Sequence, residues 1–424
     1  MADFSSLKVG LSGAVIFKSE NNKTFQEEIE GTWNAVIRKR QPCAFVRVAS
    51  VKDVVNTVKF CVHNKLEMCV CAAKNSDFAL ADNAVVIDLS DLNNVDSKTV
   101  ASCLVTPLGS YSQLGVAGFT LLGGTGFLSR SYGCAADNAV EFELVTASGD
   151  VIKANKKENA DLFWGMKGCG SNFGVLTSIT FQLHDIPDQV TGGSLYYSIS
   201  QAPGVFKDIR DFIREKADNR ISVYLIVHFE TSGPQAICRF LFNGPTKEGN
   251  ELLLELTNRT KPVDNKVKAL PFDQFQTTGD WLVPRGWLYY SAKGSWVKDL
   301  TDDVLDIVFD AVNKAPESRT MACGFIYMPS LGGKLREMTD EDNAFPFKAA
   351  EYRVGAVVAA QDRDSYDVVK AWADGLDQKL SKYGIFPQGP EAEKVQKRLK
   401  ELKIKYDPEN VFHQNVPNID PKKE

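Results

Sequence analysis

The stretch that decides the fold reads Val116-Ala-Gly-Phe-Thr-Leu-Leu-Gly-Gly-Thr-Gly126 and runs on to Gly133. Glycine has no Cβ atom, so it reaches positive φ and lets backbone N–H groups approach an anion closely. Gly118, Gly123, Gly124 and Gly126 are therefore candidates for a concave anion-binding wall that could hold a pyrophosphate. Glycines serve tight packing turns equally well, so the pattern alone leaves both interpretations open.

A second glycine cluster, Gly168-Cys-Gly-Ser-Asn-Phe-Gly174, follows the apolar segment Asp161-Leu-Phe-Trp164. Its spacing is not Gly-x-Gly-x-x-Gly, and no acidic residue follows at the distance that a ribose-binding acid requires. The sequence therefore argues against a Rossmann-type dinucleotide site.

Composition limits the class of protein. The chain has 424 residues, of which 44% are hydrophobic and 24% charged, which predicts a globular protein of two domains or one domain with a large insertion. A net charge of −5 argues against a nucleic-acid partner, which needs a basic face. Without an apolar run of about 20 residues or a basic-apolar leader, we expect no membrane partner and a cytoplasmic location.

The order of elements predicts an α+β fold. Apolar runs at 43–49, 67–72 and 84–89, with a helical pattern beginning at Ser50, predict a βαβ-like opening. We expect a first domain over 1–187, and over 188–380 an antiparallel sheet backed by helices. Residues 381–424 are predicted to form a charged C-terminal helix and a tail that return to the first domain.

Cysteine and histidine give little sign of a metal site. The nine cysteines are an odd number and are best explained as buried free thiols. Cys69 and Cys71 lie near Cys61 and His63, but no second pair has zinc-type spacing. Histidine occurs only at positions 63, 184, 228 and 413, without a pattern that predicts a catalytic triad.

Taken with Asn343-Ala-Phe-Pro-Phe347 and Tyr406-Asp-Pro-Glu-Asn-Val-Phe412, these segments resemble the FAD-linked oxidases of the berberine-bridge type. That family belongs to the vanillyl-alcohol-oxidase superfamily, and the resemblance covers most of the chain. It implies the PCMH-type FAD-binding fold with a substrate-type α+β domain. It also implies which residues would contact a bound flavin: Gly118, Gly123, Gly124, Gly126, Asn138 and Gly174.

Departures from the family concentrate around the flavin. Where the family has an Arg-x-Gly-Gly-His-like loop, this chain has Cys71-Ala-Ala-Lys-Asn-Ser76. Alanine and lysine disfavour positive φ, and Asn75 cannot form the family's covalent flavin link. Tyr111 stands where many members carry a second attaching cysteine. The resemblance also implies two missing elements: a strand and helix between Val100 and Pro107, and the tyrosine-rich segment before the last helix.

Two functional hypotheses follow from these departures. The first is a catalytically silent, flavin-free scaffold with a structural, self-assembling or binding role, in which Tyr111, Phe78 and Phe119 refill the emptied cleft and homo-oligomers form. The second is an FAD-dependent oxidoreductase that holds its flavin without a covalent bond and oxidises a small alcohol, sugar or alkaloid-like substrate. The four losses in one cavity favour the first hypothesis.

No catalytic residue stands out, but one aromatic segment supplies reserve candidates. Tyr289, Tyr290 and Lys293 follow Trp281, Arg285 and Trp287 where the family has substrate-domain strands. Tyr289 or Tyr290 could act as an acid or base if Lys293 or Arg285 lowered its pKa. The alternative is an amphipathic strand whose rings pack in the core.

Overall fold

The computed structural model describes residues 3–96, 104–230, 232–283, 289–317, 320–415 and 417–423. Arg285 and Trp287 of the predicted aromatic cluster lie outside these residues, as does much of the segment predicted to bypass a family element after Val100. None of the helices in the described part of the chain is long and apolar enough to cross a membrane.

A small sheet opens the fold. Its order is β1-β2-β4-β3, with β2 and β3 both parallel to β4 and β1 antiparallel to β2. The predicted helix after Ser50 is confirmed, and the Ser50 hydroxyl accepts the Asp53 N–H at 3.2 Å as its N-cap. The elements are α1 (Ser5–Val9), β1 (Ala14–Ile16), α2 (Asn22–Glu30), β2 (Ala44–Arg47), α3 (Val51–His63), β3 (Met68–Cys71) and β4 (Val85–Asp88).

The glycine-rich segment leads into a second, three-stranded sheet of order β7-β6-β8. The strands β6 and β7 form an antiparallel hairpin. The elements are β5 (Leu104–Val105), α4 (Val116–Leu121), α5 (Ser129–Tyr132), β6 (Ala139–Val145), β7 (Val151–Asn155), α6 (Ala160–Cys169), β8 (Val175–Phe181) and β9 (His184–Asp185).

The remaining strands form a large antiparallel sheet of order β13-β10-β12-β11-β16-β17-β15, with β14 beside β10. The expected α+β architecture is therefore confirmed, while the exact domain boundaries at 187 and 380 stay a prediction. The strands are β10 (Val190–Tyr197), β11 (Ile221–Glu230), β12 (Gly233–Phe242), β13 (Asp264–Asn265), β14 (Lys268–Leu270), β15 (Tyr289–Val297), β16 (Cys323–Pro329) and β17 (Tyr352–Ala360). The helices are α7 (Ala202–Lys216), α8 (Thr246–Thr260), α9 (Phe272–Thr277), α10 (Asp302–Asn313), α11 (Arg363–Leu380) and α12 (Pro390–Tyr406).

The large sheet buries its two faces against different partners. Because side chains alternate along a strand, Val223, Leu225 and Val227 of β11 pack against α7, α10 and α11. Tyr224 and Ile226 face the opposite way, towards Phe127 of the glycine-rich segment. This second face forms one wall of the cavity described below.

Helix α12 returns to the first half of the molecule. Leu399 and Leu402 form its apolar face and pack in the same cluster as Trp164 of α6. The sequence pattern does not identify Lys403 as special, yet its side chain is fully buried, unlike most of the charged side chains of this helix. Its ammonium donates to the Asn172 carbonyl at 2.9 Å, the Asp407 carboxylate at 2.6 Å and the Phe412 carbonyl at 2.9 Å, so all three donors are used.

Candidate functional site

A cavity of about 410 Å³ lies between the large sheet and the glycine-rich segment. This volume is within the range of small-molecule sites, roughly 300–1,000 Å³. Its lining is mostly aromatic and apolar, with a few polar groups. The lining residues are Trp33, Asn75, Ser110, Tyr111, Gln113, Leu114, Phe119, Leu122, Gly124, Thr125, Tyr224, Val283, Tyr290, Ala292, Trp296, Phe325, Tyr327, Pro329, Phe345, Arg353 and Val357.

The sheet wall of the cavity is built from alternate residues of four strands. Tyr290 and Trp296 come from β15, Phe325 and Tyr327 from β16, Arg353 and Val357 from β17, and Tyr224 from β11. Each is an even number of residues from its lining neighbour on the same strand, so strand periodicity places them on one face. The rings give this wall an apolar surface with phenol groups on it.

Arg353 of β17 is the one charged side chain among the described residues that line the cavity. It lies directly opposite Trp296 in the β15–β17 ladder. Its guanidinium carbon is 5.2 Å from the Trp296 ring centroid and 5.6 Å from that of Tyr327, which are cation–π distances. Its Nε is buried and has no hydrogen-bond partner in the described structure.

The opposite wall comes from the glycine-rich segment. Gly123 and Gly124 have φ of 97° and 77°, in the region that glycine adopts without strain. A Cβ at Gly123 would lie 2.3 Å from the Phe345 ring, and one at Gly124 would lie 2.5 Å from the Phe119 ring. Glycine is thus required at both positions for backbone conformation and for space.

The loop at residues 72–76, named the Lys74 loop here, departs from its prediction. We expected its lysine to disfavour positive φ, yet Lys74 has a φ of 55°. The Lys74 ammonium pairs with the Asp88 carboxylate at 2.9 Å and also with Glu28. Both acids are buried, so these ion pairs hold the lysine in a conformation that its backbone disfavours.

Asn75 links the Lys74 loop to the glycine-rich segment. Its side-chain NH₂ donates to the Gln113 carbonyl at 2.9 Å. Its Oδ1 is buried and has no hydrogen-bond partner in the part of the chain that the structure describes. A polar acceptor at the edge of the cavity is therefore free to receive a ligand donor.

Burial controls the ionisation of the cavity phenols. It raises the pKa of Tyr224 to about 12, although the hydrogen bond between Tyr224 and the Ser110 hydroxyl acts in the opposite direction. It also raises the pKa of Tyr111 and of Tyr290 well above the ordinary tyrosine value. These phenols are therefore neutral hydrogen-bonding groups near neutral pH.

The predicted flavin-contacting residues have different environments. Gly124 lines the cavity, and a Cβ on Gly118 of α4 would meet nothing within 4 Å. A Cβ on Gly126 would lie 1.9 Å from the Leu108 carbonyl oxygen, and one on Gly174 would lie 2.6 Å from the Val145 carbonyl oxygen, so both permit close packing.

Asn138, the remaining predicted flavin contact, has protein partners at both ends of its amide group. Its NH₂ donates to the Tyr132 and Cys134 carbonyls at 2.8 Å each, and its Oδ1 lies 2.5 Å from His184 Nε2. The part of Asn138 that a ligand could reach is therefore limited, and its flavin role stays a prediction.

Only one of the three reserve catalytic residues faces the cavity. Tyr290 lines it, whereas Tyr289 packs against Tyr366 of α11 with ring centroids 5.6 Å apart. Lys293 pairs with Asp374 of the same helix at 2.7 Å. The alternation of β15 places Lys293 on the same face as Tyr289 and on the face opposite Tyr290, the tyrosine that lines the cavity.

The predicted refilling of the cleft is wrong in the described structure. Tyr111 and Phe119 do line the cavity, but they are only half-buried and leave its volume open. Phe78 is 37% exposed and lies outside the lining. The aromatic rings narrow the site without closing it.

The cysteines and histidines have structural surroundings. No group of three or more His, Cys, Asp or Glu side chains could hold a metal within the described ranges. Burial raises the pKa of the Cys61 and Cys69 thiols to about 12. His228 lies 3.4 Å from Glu230 and His413 lies 2.8 Å from Glu67.

Comparisons with known proteins identify relatives along nearly the whole chain. A family profile described as an FAD binding domain matches residues 42–155. An FAD-linked oxidoreductase of Dictyostelium discoideum is 30% identical over 96% of this chain and 94% of its own length. The (R)-6-hydroxynicotine oxidase of Paenarthrobacter nicotinovorans is 26% identical over 97% of this chain and 98% of its own.

Solved structures show the same fold. The 6-hydroxy-D-nicotine oxidase of Arthrobacter nicotinovorans superposes with a TM-score of 0.86 at 21% identity, covering 97% of this chain and 98% of that one. The berberine bridge enzyme of Eschscholzia californica superposes with a TM-score of 0.81 at 17% identity, covering 98% and 99%.

Proposed function

The chain belongs to the FAD-linked oxidoreductases of the berberine-bridge type, and from this premise we propose that it is an FAD-dependent oxidoreductase with a non-covalently bound flavin. The observation that carries the proposal is the open cavity of about 410 Å³ between the glycine-rich wall and the aromatic sheet wall. Its volume and its mixture of rings and phenols suit a flavin ring and a small substrate.

Several residues fit a flavin at this place. The unpartnered Asn75 Oδ1 can accept a hydrogen bond, and the backbone at Gly124 and Thr125 borders the cavity. Gly118 has open space on its Cβ side. Because Asn75 and Tyr111 replace the family's attaching residues, neither offers a group for a covalent bond. A bound flavin would supply the acceptor for a hydride from the substrate.

The protein's own part in the reaction is to position the substrate and handle its proton. No carboxylate and no histidine is among the described lining residues. Tyr290 is the reserve candidate that faces the cavity, and its phenol is neutral near neutral pH because burial raises its pKa. Tyr290 would hydrogen-bond a substrate hydroxyl or amine and exchange a proton with it. The proposed substrate is a small alcohol, sugar or alkaloid-like compound.

The first experiment asks whether the purified full chain holds flavin. We expect a flavin absorption spectrum, and acid precipitation should leave the flavin in the supernatant. Added FAD should raise the melting temperature, because ligand at a hundredfold excess over its dissociation constant stabilises a protein by roughly 2.7 kcal/mol. Flavin that stays with the precipitate contradicts the non-covalent proposal, and a colourless protein with no response to FAD contradicts the enzyme.

The second experiment compares two neighbouring tyrosines on opposite faces of β15. Tyr290→Phe should lower turnover about 10²- to 10⁴-fold if its phenol exchanges the substrate proton. Tyr289→Phe removes the same hydroxyl from the face packed on α11, so turnover should stay near the wild-type rate. FAD affinity should change little in either variant. Equal turnover in the two variants would remove Tyr290 from this role.

One observation favours a second candidate, a flavin-free binding or self-assembling protein. A Cβ built on Gly115 lies 2.8 Å from the Ala73 methyl group, so the Lys74 loop packs closely against the start of α4. This contact narrows the space between two segments that resemble the family's pyrophosphate-binding loops. An unchanged melting temperature with FAD, together with a defined homo-oligomer by native mass spectrometry, would favour this candidate.

A further inference from the structure

Arg353 gives the cavity a single positive charge. Among the described lining residues no aspartate, glutamate, lysine or histidine accompanies it. From this we infer that the cavity takes an aromatic carboxylate, with the carboxylate on Arg353 and the ring between the aromatic side chains. The inference rests on the proposed function, since it names the substrate class of the same cavity.

The surroundings of Arg353 leave its hydrogen-bonding edge available. Trp296 and Tyr327 contact the guanidinium as cation–π partners, with centroid distances of 5.2 and 5.6 Å. Such partners leave the N–H donors without an acceptor, and Nε is buried without one in the described structure. A planar guanidinium held by two rings is suited to a two-point contact with a carboxylate.

The cost of burial also favours an anion at this position. A guanidinium moved out of water needs a counter-charge or several acceptors. No carboxylate lies within ion-pair distance of Arg353 in the described parts of the chain. The buried arginines there have acceptors: Arg210 pairs with Asp302, and Arg130 and Arg239 donate to backbone carbonyl oxygens. A ligand carboxylate would supply both the missing charge and the missing acceptors.

The other lining residues indicate the shape and polarity of the rest of the ligand. Phe325, Trp296 and Phe345 present ring surface, and the neutral phenols of Tyr111 and Tyr290 can hydrogen-bond without adding charge. Leu114 and Leu122, also in the lining, are 38% and 47% exposed, which makes the opening apolar. The ligand therefore has an aromatic body and one anionic end.

The test uses two probes of nearly equal shape, 3-phenylpropanoate and 3-phenylpropanamide. Their dissociation constants are measured by calorimetry on the full-length protein at neutral pH, in the flavin-free and the FAD-saturated form. The wild type should bind the acid at least about tenfold more tightly than the amide, because hydrogen bonds to charged groups contribute about 1.5–3 kcal/mol.

Three variants separate charge from packing. Arg353→Gln should reduce the acid-to-amide ratio to near one by weakening the acid alone, and Arg353→Lys should keep part of the ratio. Arg363→Gln is the matched control, because Arg363 also contacts a tyrosine ring, at 5.7 Å from Tyr366, but lies on α11 behind the sheet. This control should keep the wild-type ratio.

The possible results are distinguishable. Failure of the acid to bind the wild type, a wild-type ratio near one, or equal weakening of both probes by Arg353→Gln overturns the inference. Loss of the acid preference on FAD saturation also overturns it, because Arg353 would then hold the cofactor. An acid preference in a protein that never binds FAD supports the inference and contradicts the proposed function. FAD binding without an acid preference supports the proposed function and overturns the inference.

Discussion

The Lys74 loop and the glycine-rich segment border the same cavity, and both use left-handed backbone. In the glycine-rich segment Gly123, Gly124 and Gly133 adopt positive φ at no steric cost. In the loop Lys74 adopts a φ of 55° although it carries a Cβ. The first conformation is encoded locally, whereas the second depends on partners 46 and 14 positions away in the chain, Glu28 and Asp88.

This difference shows how a loop can keep its shape after losing its glycines. A left-handed conformation costs a non-glycine residue roughly 1–2 kcal/mol. Glu28 also pairs with Arg47, but Lys74 is the one cation paired with the buried Asp88 in the described structure, and this favours the lysine position by more than that amount. Substitution of a glycine in a motif is therefore weak evidence that the motif's backbone has changed.

Lys74→Met tests whether the distant ion pairs hold the Lys74 loop, and it should have the largest effect. The methionine keeps most of the volume but leaves Glu28 and Asp88 buried without their shared cation, so the free energy of unfolding should fall by about 3–5 kcal/mol. Lys65→Met is the matched control, because Lys65 has a φ of 53° and is exposed. Urea denaturation measures both, and equal effects would show that the ion pairs do not hold the loop.

The pH dependence of this effect has a definite sign. Burial lowers the pKa of Lys74, but Asp88 and Glu28 outweigh burial and hold it above the ordinary lysine value. A raised pKa means that the stabilisation is complete below roughly pH 10.4 and is lost as the pH rises through the folded-state pKa. The difference between wild type and Lys74→Met should be constant from about pH 7 to about pH 9 and shrink at higher pH.

Gly123→Ala tests the locally encoded backbone conformation of the glycine-rich segment. Its Cβ would meet the Phe345 ring at 2.3 Å with φ at 97°, so strain and overpacking together should cost about 2–4 kcal/mol. Gly118→Ala, a helical position with open space, should instead stabilise the protein by about 0.5–1 kcal/mol. Thermal unfolding checks both, and two losses of equal size would contradict the assignment of Gly123 as conformationally required.

A smaller effect is expected for Phe119→Ala in the cavity wall. A fully buried phenylalanine costs about 3–5 kcal/mol on truncation, but this ring is half-buried beside an open cavity, so about 1–2 kcal/mol is expected. Phe78→Ala, outside the lining, should cost less. Urea denaturation measures the loss in unfolding free energy. A loss of about 5 kcal/mol, the upper value for a fully buried phenylalanine, would mean that the Phe119 ring closes the cleft.

The smallest expected effect is that of Asn75→Ala, which cuts the link between the two regions. Loss of the hydrogen bond to the Gln113 carbonyl should cost about 1 kcal/mol, offset in part because the unpartnered Oδ1 disappears too. FAD affinity, measured by fluorescence titration, should fall as well. Asn64→Ala, which removes a similar bond on the surface, should leave FAD affinity unchanged, and a fall in both variants would show a general effect on folding.

Much of the fold could be predicted from the sequence because its signals are periodic and local. The strands after Cys43 and Glu67, the helix that begins at Ser50 and the apolar face of α12 all follow from side-chain spacing. Polar contacts between distant segments could not be predicted in this way. Lys403 looked like one solvated lysine among many, because nothing local shows that three acceptors surround it.

By itself the sequence determined the family, the α+β architecture and the need for glycine around residue 123, because each depends on residue type and on spacing along one segment. Only the tertiary structure decided that Lys74 keeps the loop's left-handed turn, that Tyr290 faces the cavity while Lys293 does not, and that Arg353 stands there without a counter-charge. These three properties depend on residues far apart in the chain that meet only when the sheet and the glycine-rich segment pack together.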